Sequence, residues 1–221
     1  MNYYFVIIFY ILCYTRSCYY QLRLLRTVSH SLSHKSAATL VHVFVTSWLD
    51  HCCSVLVGLA LTLTAHLYRV LRSAARLIVG VPKYALISDY MCDTLHWLPM
   101  QQRIFYRVAV LVWHCLLGIA PVYLQEFCCP VSTLVGHQAL RSSSGGDLLV
   151  PYVNTSTMQH RAFSVVAPSI WNSLPSQIPL YQRATRLCFT SCLKLIFFTV
   201  VGLGASLSSF LEGRYINFLN E

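Results

Sequence analysis

The sequence predicts a mostly α protein: a small multi-helix bundle followed by an irregular helical tail. Three observations lead there. Apolar residues recur at spacings of three and four over several long stretches, the period of an amphipathic helix. Glycine and proline punctuate the ends of those stretches. One short segment, Leu148–Val153, reads as a strand, and Pro151 weakens it because proline cannot donate to a ladder.

The elements follow in order. Met1 to Tyr14 carries no charge. It is shorter than the about 20 residues that span a bilayer, and it has neither the basic n-region nor a clear small-residue cleavage site of a signal peptide. Ser33–Asp50 carries Leu40, Val41, Phe44, Val45, Trp48 and Leu49 as a helical stripe, with Ser33 or Ser36 placed to cap its start. Thr64–Val79 carries Leu67, Val70, Leu71, Ala74, Leu77 and Ile78, and Gly80 with Pro82 ends it. Pro99 suits the first turn of a third helix, whose stripe is Ile104, Val108, Leu111, Val112 and Cys115 and whose stop is Gly118 and Pro121. A short turn runs from Pro121 to Phe127, and Ser142–Asp147 is a loop. Gln159–Leu174 reads as a short helix broken at Pro168 and closed by Pro175, and Thr185–Phe198 as another helical run. Leu195–Leu211 is 17 residues without a charge, bracketed by Lys194 and Arg214, at the lower limit for a transmembrane helix.

Composition narrows the function classes. Hydrophobic residues make up 56 % and charged residues 10 % of the 221, the opposite of a disordered chain. Nine glycines exclude a collagen-like chain. An insoluble fragment, a membrane protein and a domain that leans on neighbours remain. Sixteen Lys+Arg against seven Asp+Glu give a net charge of +9. All but Lys35, Lys83 and Lys194 of these cations are arginine, whose planar fork matches phosphate. The surplus suits a polyanion, either nucleic acid or lipid headgroups. It fits equally a scattered, solvating charge, because no basic run occurs. The ten cysteines do not form a disulfide framework: Cys52-Cys53 and Cys128-Cys129 are vicinal and the rest lie in apolar stretches, so reduced, buried thiols are expected. No Cys-x-x-Cys occurs, and Cys188 and Cys192 lack a nearby His pair, so no zinc site is expected.

Several segments resemble a known family. Thr39 to Ser54, TLVHVFVTSWLDHCCS, is similar to "LVHAFVTSRLDYCNSLL". Ala74–Leu77 is similar to "AAARL", and Leu95–Pro99 with Gln102, Arg103 and Ile104 to "LHWLPVxxRI". Gly118–Leu124 is similar to "GLAPxYL". Arg161–Ser164, Ala167, Pro168 and Trp171–Pro175 together resemble "RAFSxxAPxLWNSLP", and Phe189, Leu193, Lys194, Phe197 and Phe198 resemble "FxxxLKxxLF". These patterns belong to the region after the polymerase motifs in non-LTR, LINE-type retrotransposon reverse transcriptases of the Jockey and chicken-repeat kind. The resemblance covers Ser17 to Phe198 in order. It implies a thumb-like helical region over 17–130 and a post-polymerase C-terminal segment over 131–198. Residues 1–16 and 199–221 match neither and read as flanking sequence. The implied job is to hold a template–primer duplex, RNA or RNA/DNA hybrid, in cytoplasm or nucleus, with the palm lying upstream. This chain departs from the pattern at Trp48 (usually Arg), Cys53 (Asn), Tyr68 (Gln) and Gln159-His160 (Gly-Asp), mostly towards apolar character.

Catalytic chemistry finds no residues to carry it. Nucleotidyl transfer needs carboxylates that hold two metal ions. The acids are Asp50, Asp89, Asp93, Glu126, Asp147, Glu212 and Glu221, with no Asp-Asp pair. Only Asp89 and Asp93 can share a helix face, as a solvated helix end. No Gly-x-Ser-x-Gly elbow or phosphate loop occurs. His96 reads as a local hydrogen-bonding residue beside a packing Trp97. Asn154-Thr155-Ser156 is a glycosylation triplet that matters only on the secretory route. The expectation is therefore a non-enzyme with no cofactor, no metal and no small-molecule substrate. Arg69, Arg72 and Arg76 on one helix face, and Arg103 and Arg107 on another, are candidates to grip phosphate. Tyr68 and Tyr106 beside them are candidates to stack bases. A solvated helix face is the competing reading. The alternative function is a small membrane-associated protein anchored by residues 195–211, with Met1 to Tyr14 at the interface.

Overall fold

A computed structural model describes residues 3–51, 53–133, 146–153 and 161–174, with 190, 191, 193, 194, 196 and 197. The described residues are mostly helical, as the apolar periodicity predicts, and form no strand. The helices are α1 (Tyr3–Val28), α2 (His34–Val41), α3 (Ser47–Asp50), α4 (Leu61–Val79), α5 (Ser88–Asp93), α6 (Met100–Leu116), α7 (Val122–Gln125) and α8 (Phe163–Asn172). The chain divides into two compact units within α6, between Arg103 and Ile104.

In the first unit α1 packs against α4 and α2, and α2 against α4. α1 buries Ile7, Ile11, Cys18, Leu22 and Leu25, steps of three, four or seven that keep one face inward. It runs unbroken through residues 16 and 17, where the resemblance begins. The Ser33 hydroxyl caps α2 by accepting from the Ser36 N–H at 3.1 Å. α4 starts three residues before the predicted Thr64, and every residue of its predicted stripe is buried. Gly80 then adopts φ 77° and donates its N–H to the Arg76 carbonyl at 2.9 Å. No atom lies within 4 Å of where a Cβ would stand there, so the backbone conformation is what favours glycine. His34 Nδ1 lies 2.7 Å from the Ile78 carbonyl and ties the start of α2 to the end of α4.

The helix predicted over Ser33–Asp50 contains a π-helical turn at His42–Thr46. Ala37, Val41, Val45 and Leu49 are all buried and recur every four residues. In a regular α-helix a four-residue repeat drifts around the surface. The wider i→i+5 turn takes up that drift and holds the four on one face. The cost falls on the neighbouring row: Leu40 is half-buried, and Phe44 and Trp48, predicted to share the stripe, are exposed.

In the second unit α6 buries Ile104, Val108, Val112 and Cys115 of its predicted stripe, together with Ala109 and Trp113, and leaves Leu111 half-buried. The predicted turn after Pro121 contains α7. The strand expected at Leu148–Val153 is an isolated bridge between Leu148 and Pro130. Val131 N–H donates to Asp147 and Leu149 N–H to Cys129, at 3.0 and 2.9 Å. Prolines at 130 and 151 supply no donors to extend the ladder. Asn172 closes the bridge instead: its oxygen accepts from Leu148 N–H at 2.9 Å and its amide donates to Leu148 O at 2.8 Å. Pro168 does not break α8. Within a ten-residue helix it removes one backbone donor, and buried Ala167, Pro168 and Trp171 hold the rest.

Several expectations lie outside the described residues: most of the 142–147 loop, the start of the 159–174 helix, much of the 185–198 run, nearly all of 195–211, the 154–156 triplet, Cys52, Cys188 and Cys192, and the 199–221 tail.

Candidate nucleic-acid interface

The arginine row of α4 arises because the helix buries its apolar stripe and leaves positions 69, 72 and 76 on one flank. The three differ in what they touch. Arg69 is exposed. The Arg72 guanidinium lies 5.8 Å from the Tyr68 ring centroid, a cation–π contact. Its Nε is buried without a hydrogen-bond partner among the described residues. Arg76 turns inward, and its Nε and Nη2 donate to the Ala85 carbonyl at 3.2 and 3.1 Å. That fork pins the segment after Gly80 onto α4.

Arg103 has a stronger commitment. Its Nε donates to Asp50 Oδ1 and its Nη2 to Oδ2, the latter at 2.9 Å. The side chains are 12 % and 7 % exposed. A forked ion pair this enclosed is difficult to give up, because either charge alone would be stranded away from water. Arg103 thereby joins the start of α6 to the end of α3. Arg107, one turn later, is exposed. Tyr106 is half-buried and meets Phe197 edge-on, with ring centroids 6.3 Å apart.

The predicted set is therefore divided. Tyr68 and Arg72 come together in the cation–π contact. Arg76 and Arg103 serve protein carbonyl and carboxylate partners. Arg69 and Arg107 are exposed, one in each unit, and Arg107 also interacts within the chain.

The carboxylates are dispersed. Asp50 belongs to Arg103, Asp89 and Asp93 are exposed on α5, Glu126 is exposed, and Asp147 is half-buried beside the Leu148 bridge. Among the described residues no group of three or more His, Cys, Asp or Glu side chains is placed to hold a metal. His96 has φ 51°, and its Nδ1 lies 3.1 Å from the Cys92 carbonyl at the end of α5, a local bond of the kind its sequence context suggests.

The described cysteines are free thiols, five of them buried: Cys18, Cys53, Cys92, Cys115 and Cys128. Burial pushes Cys18 up to about 11. Cys92 is raised by burial and then by Asp93 and Asp89. A hydrogen bond between Cys115 and Cys128 lowers the first thiol and raises the second.

α1 carries an exposed apolar surface, with Phe9 and Tyr20 62 % and 60 % exposed, which extends past the Met1 to Tyr14 segment that the alternative reading sets at an interface. Among the described residues no helix is long and apolar enough to cross a membrane. No family model, curated protein or solved structure matches this chain.

Proposed function

We propose that these residues correspond to the thumb and post-polymerase segment of a LINE-type reverse transcriptase, inactive as a polymerase, and that they hold RNA or an RNA/DNA hybrid weakly and without sequence preference. The observation that carries this reading is the ordered series of resembling blocks from Thr39 to Phe198. Two features support it. Asp50 and Arg103, from two separate blocks, form one enclosed ion pair. Trp171 and Asn172 of a third block anchor the 146–148 segment, Trp171 by donating Nε1 to the Gly146 carbonyl at 3.2 Å. Motif residues that hold a fold together are what a structural, non-catalytic region needs.

The chemistry argues in the same direction. Two-metal transfer requires clustered carboxylate oxygens, and the sequence has no Asp-Asp pair, while Asp50 already neutralises Arg103. Arg69 and Arg72 on α4 then supply a sequence-independent grip on phosphates, with Tyr68 as a base platform. A primer-extension assay with Mg²⁺ or Mn²⁺ tests the first half, and no added nucleotide is expected. Filter binding of an RNA/DNA hybrid tests the second. Templated synthesis would overturn the inactive assignment, and absence of binding at low salt would remove the nucleic-acid role.

A further inference from the structure

We propose that the outer face of α1 docks on an anionic membrane surface. Phe9 and Leu12 enter the headgroup layer, and Arg16 and Arg23 meet lipid phosphates. This inference is independent of the nucleic-acid reading.

The inner face of α1 is buried in the first unit and is unavailable to a partner. Phe9, Leu12, Arg16, Tyr20 and Arg23 follow one another at steps of three and four, so they share the outer face. Phe9, Leu12 and Tyr20 are 62 %, 52 % and 60 % exposed. Large apolar groups on successive turns make a contiguous patch rather than the isolated surface residues that any soluble protein shows. Exposed apolar and aromatic groups run along the helix, and its three arginines, Arg16, Arg23 and Arg26, fall in the C-terminal half. No Asp or Glu occurs before Asp50. An exposed apolar stripe accompanied by arginine alone fits the lipid interface, where acyl carbon and phosphate lie a few ångströms apart.

An aromatic cluster stands on another side of α1, where Tyr10 and Tyr14 lie about 100–160° around the helix from Phe9 and Leu12. Tyr10 and Tyr14 stand 4.0 Å apart between ring centroids, and Tyr14 and Trp48 5.8 Å apart. The Tyr10 hydroxyl lies 3.4 Å from the His51 carbonyl, which fixes the cluster across α1 and the end of α3. Trp48 is 49 % exposed because the π-turn moves it out of the core row. These rings tie α1 to α3 and do not share the side that carries Phe9 and Leu12. The alternatives fit less well. A second copy of this chain would set arginine against arginine across a two-fold. A nucleic acid would use the arginines and rings but leave Phe9 and Leu12 in water.

The test is co-sedimentation of the full chain with phosphatidylcholine vesicles and with vesicles that also contain phosphatidylserine. The expected result is binding to the anionic vesicles only, released by high salt. Phe9→Ser with Leu12→Ser, and separately Arg16→Gln with Arg23→Gln, should each weaken that binding about tenfold at unchanged circular dichroism. Should the Phe9/Leu12 variant not fold, the arginine variant decides alone. No binding to anionic vesicles, equal binding to neutral ones, or arginine-variant binding equal to wild type would each overturn the proposal. So would loss of RNA binding in the arginine variant with vesicle binding intact, which would assign the face to nucleic acid.

Discussion

Arg103 and Asp50 stand 53 positions apart, and their forked pair decides what each can do. An arginine enclosed against a carboxylate has exchanged water for one partner, and removing that partner strands the charge. Asp50→Ala should therefore cost about 3–5 kcal/mol of stability in urea denaturation. Arg69→Ala, at an exposed position, should stay within about 0.5 kcal/mol. Cys18 gives a second, pH-dependent test. Its thiol is raised from 9.0 to about 11 by burial, so the folded state keeps a proton that the unfolded chain releases. The resulting stabilisation is whole below pH 9.0 and is lost as pH rises towards about 11. Melting temperature should fall over that window in the wild type, and Cys18→Ala should reduce the slope there while leaving the lower pH range flat.

Among the elements, α4 was the most legible. Its stripe contains nothing but apolar residues at helical spacing, flanked by arginines and closed by Gly80, so propensity, pattern and cap agree. Leu71→Ala, at a position with no exposed surface, should cost about 2–5 kcal/mol by calorimetry or denaturant titration. Gly80→Ala should cost about 1–2 kcal/mol, because the strain lies in the left-handed backbone and not in crowding. Elsewhere the pattern misled for identifiable reasons. The paired rows of Ser33–Asp50 look equally apolar, and only the π-turn decides that Val45 goes inward while Phe44 and Trp48 face out. α1 carries an inward stripe as clear as that of α4, but apolar residues on its outer face blur the amphipathic contrast. Pro168 signals a break by its chemistry, yet α8 is held through it by the burial of Trp171 and the contacts of Asn172 with Leu148. Leu148 reads as strand from its apolar neighbours, but a strand needs a partner, and Pro130 offers a single bridge.

Over the whole molecule, charge and surface composition bear on function more than any single motif. The chain carries +9 with few carboxylates to offset it, and among the described residues many large aromatic and aliphatic side chains are exposed. The arginine rows were legible from spacing. Which arginines remain for a ligand was not, because Ala85 and Asp50 are partners set by tertiary structure rather than by the helix that bears each cation. That division gives a number to the proposed nucleic-acid role. Log affinity for single strands falls with log salt by about 0.7 for each phosphate neutralised. The most direct measurement is the salt dependence of binding to a labelled single-stranded RNA, compared between the wild type and an Arg69→Gln, Arg72→Gln variant. The wild type should bind weakly at low salt with a falling affinity, and the variant's slope should be shallower by about 1.4. An unchanged slope in a folded variant, or no wild-type binding at low salt, would contradict the account.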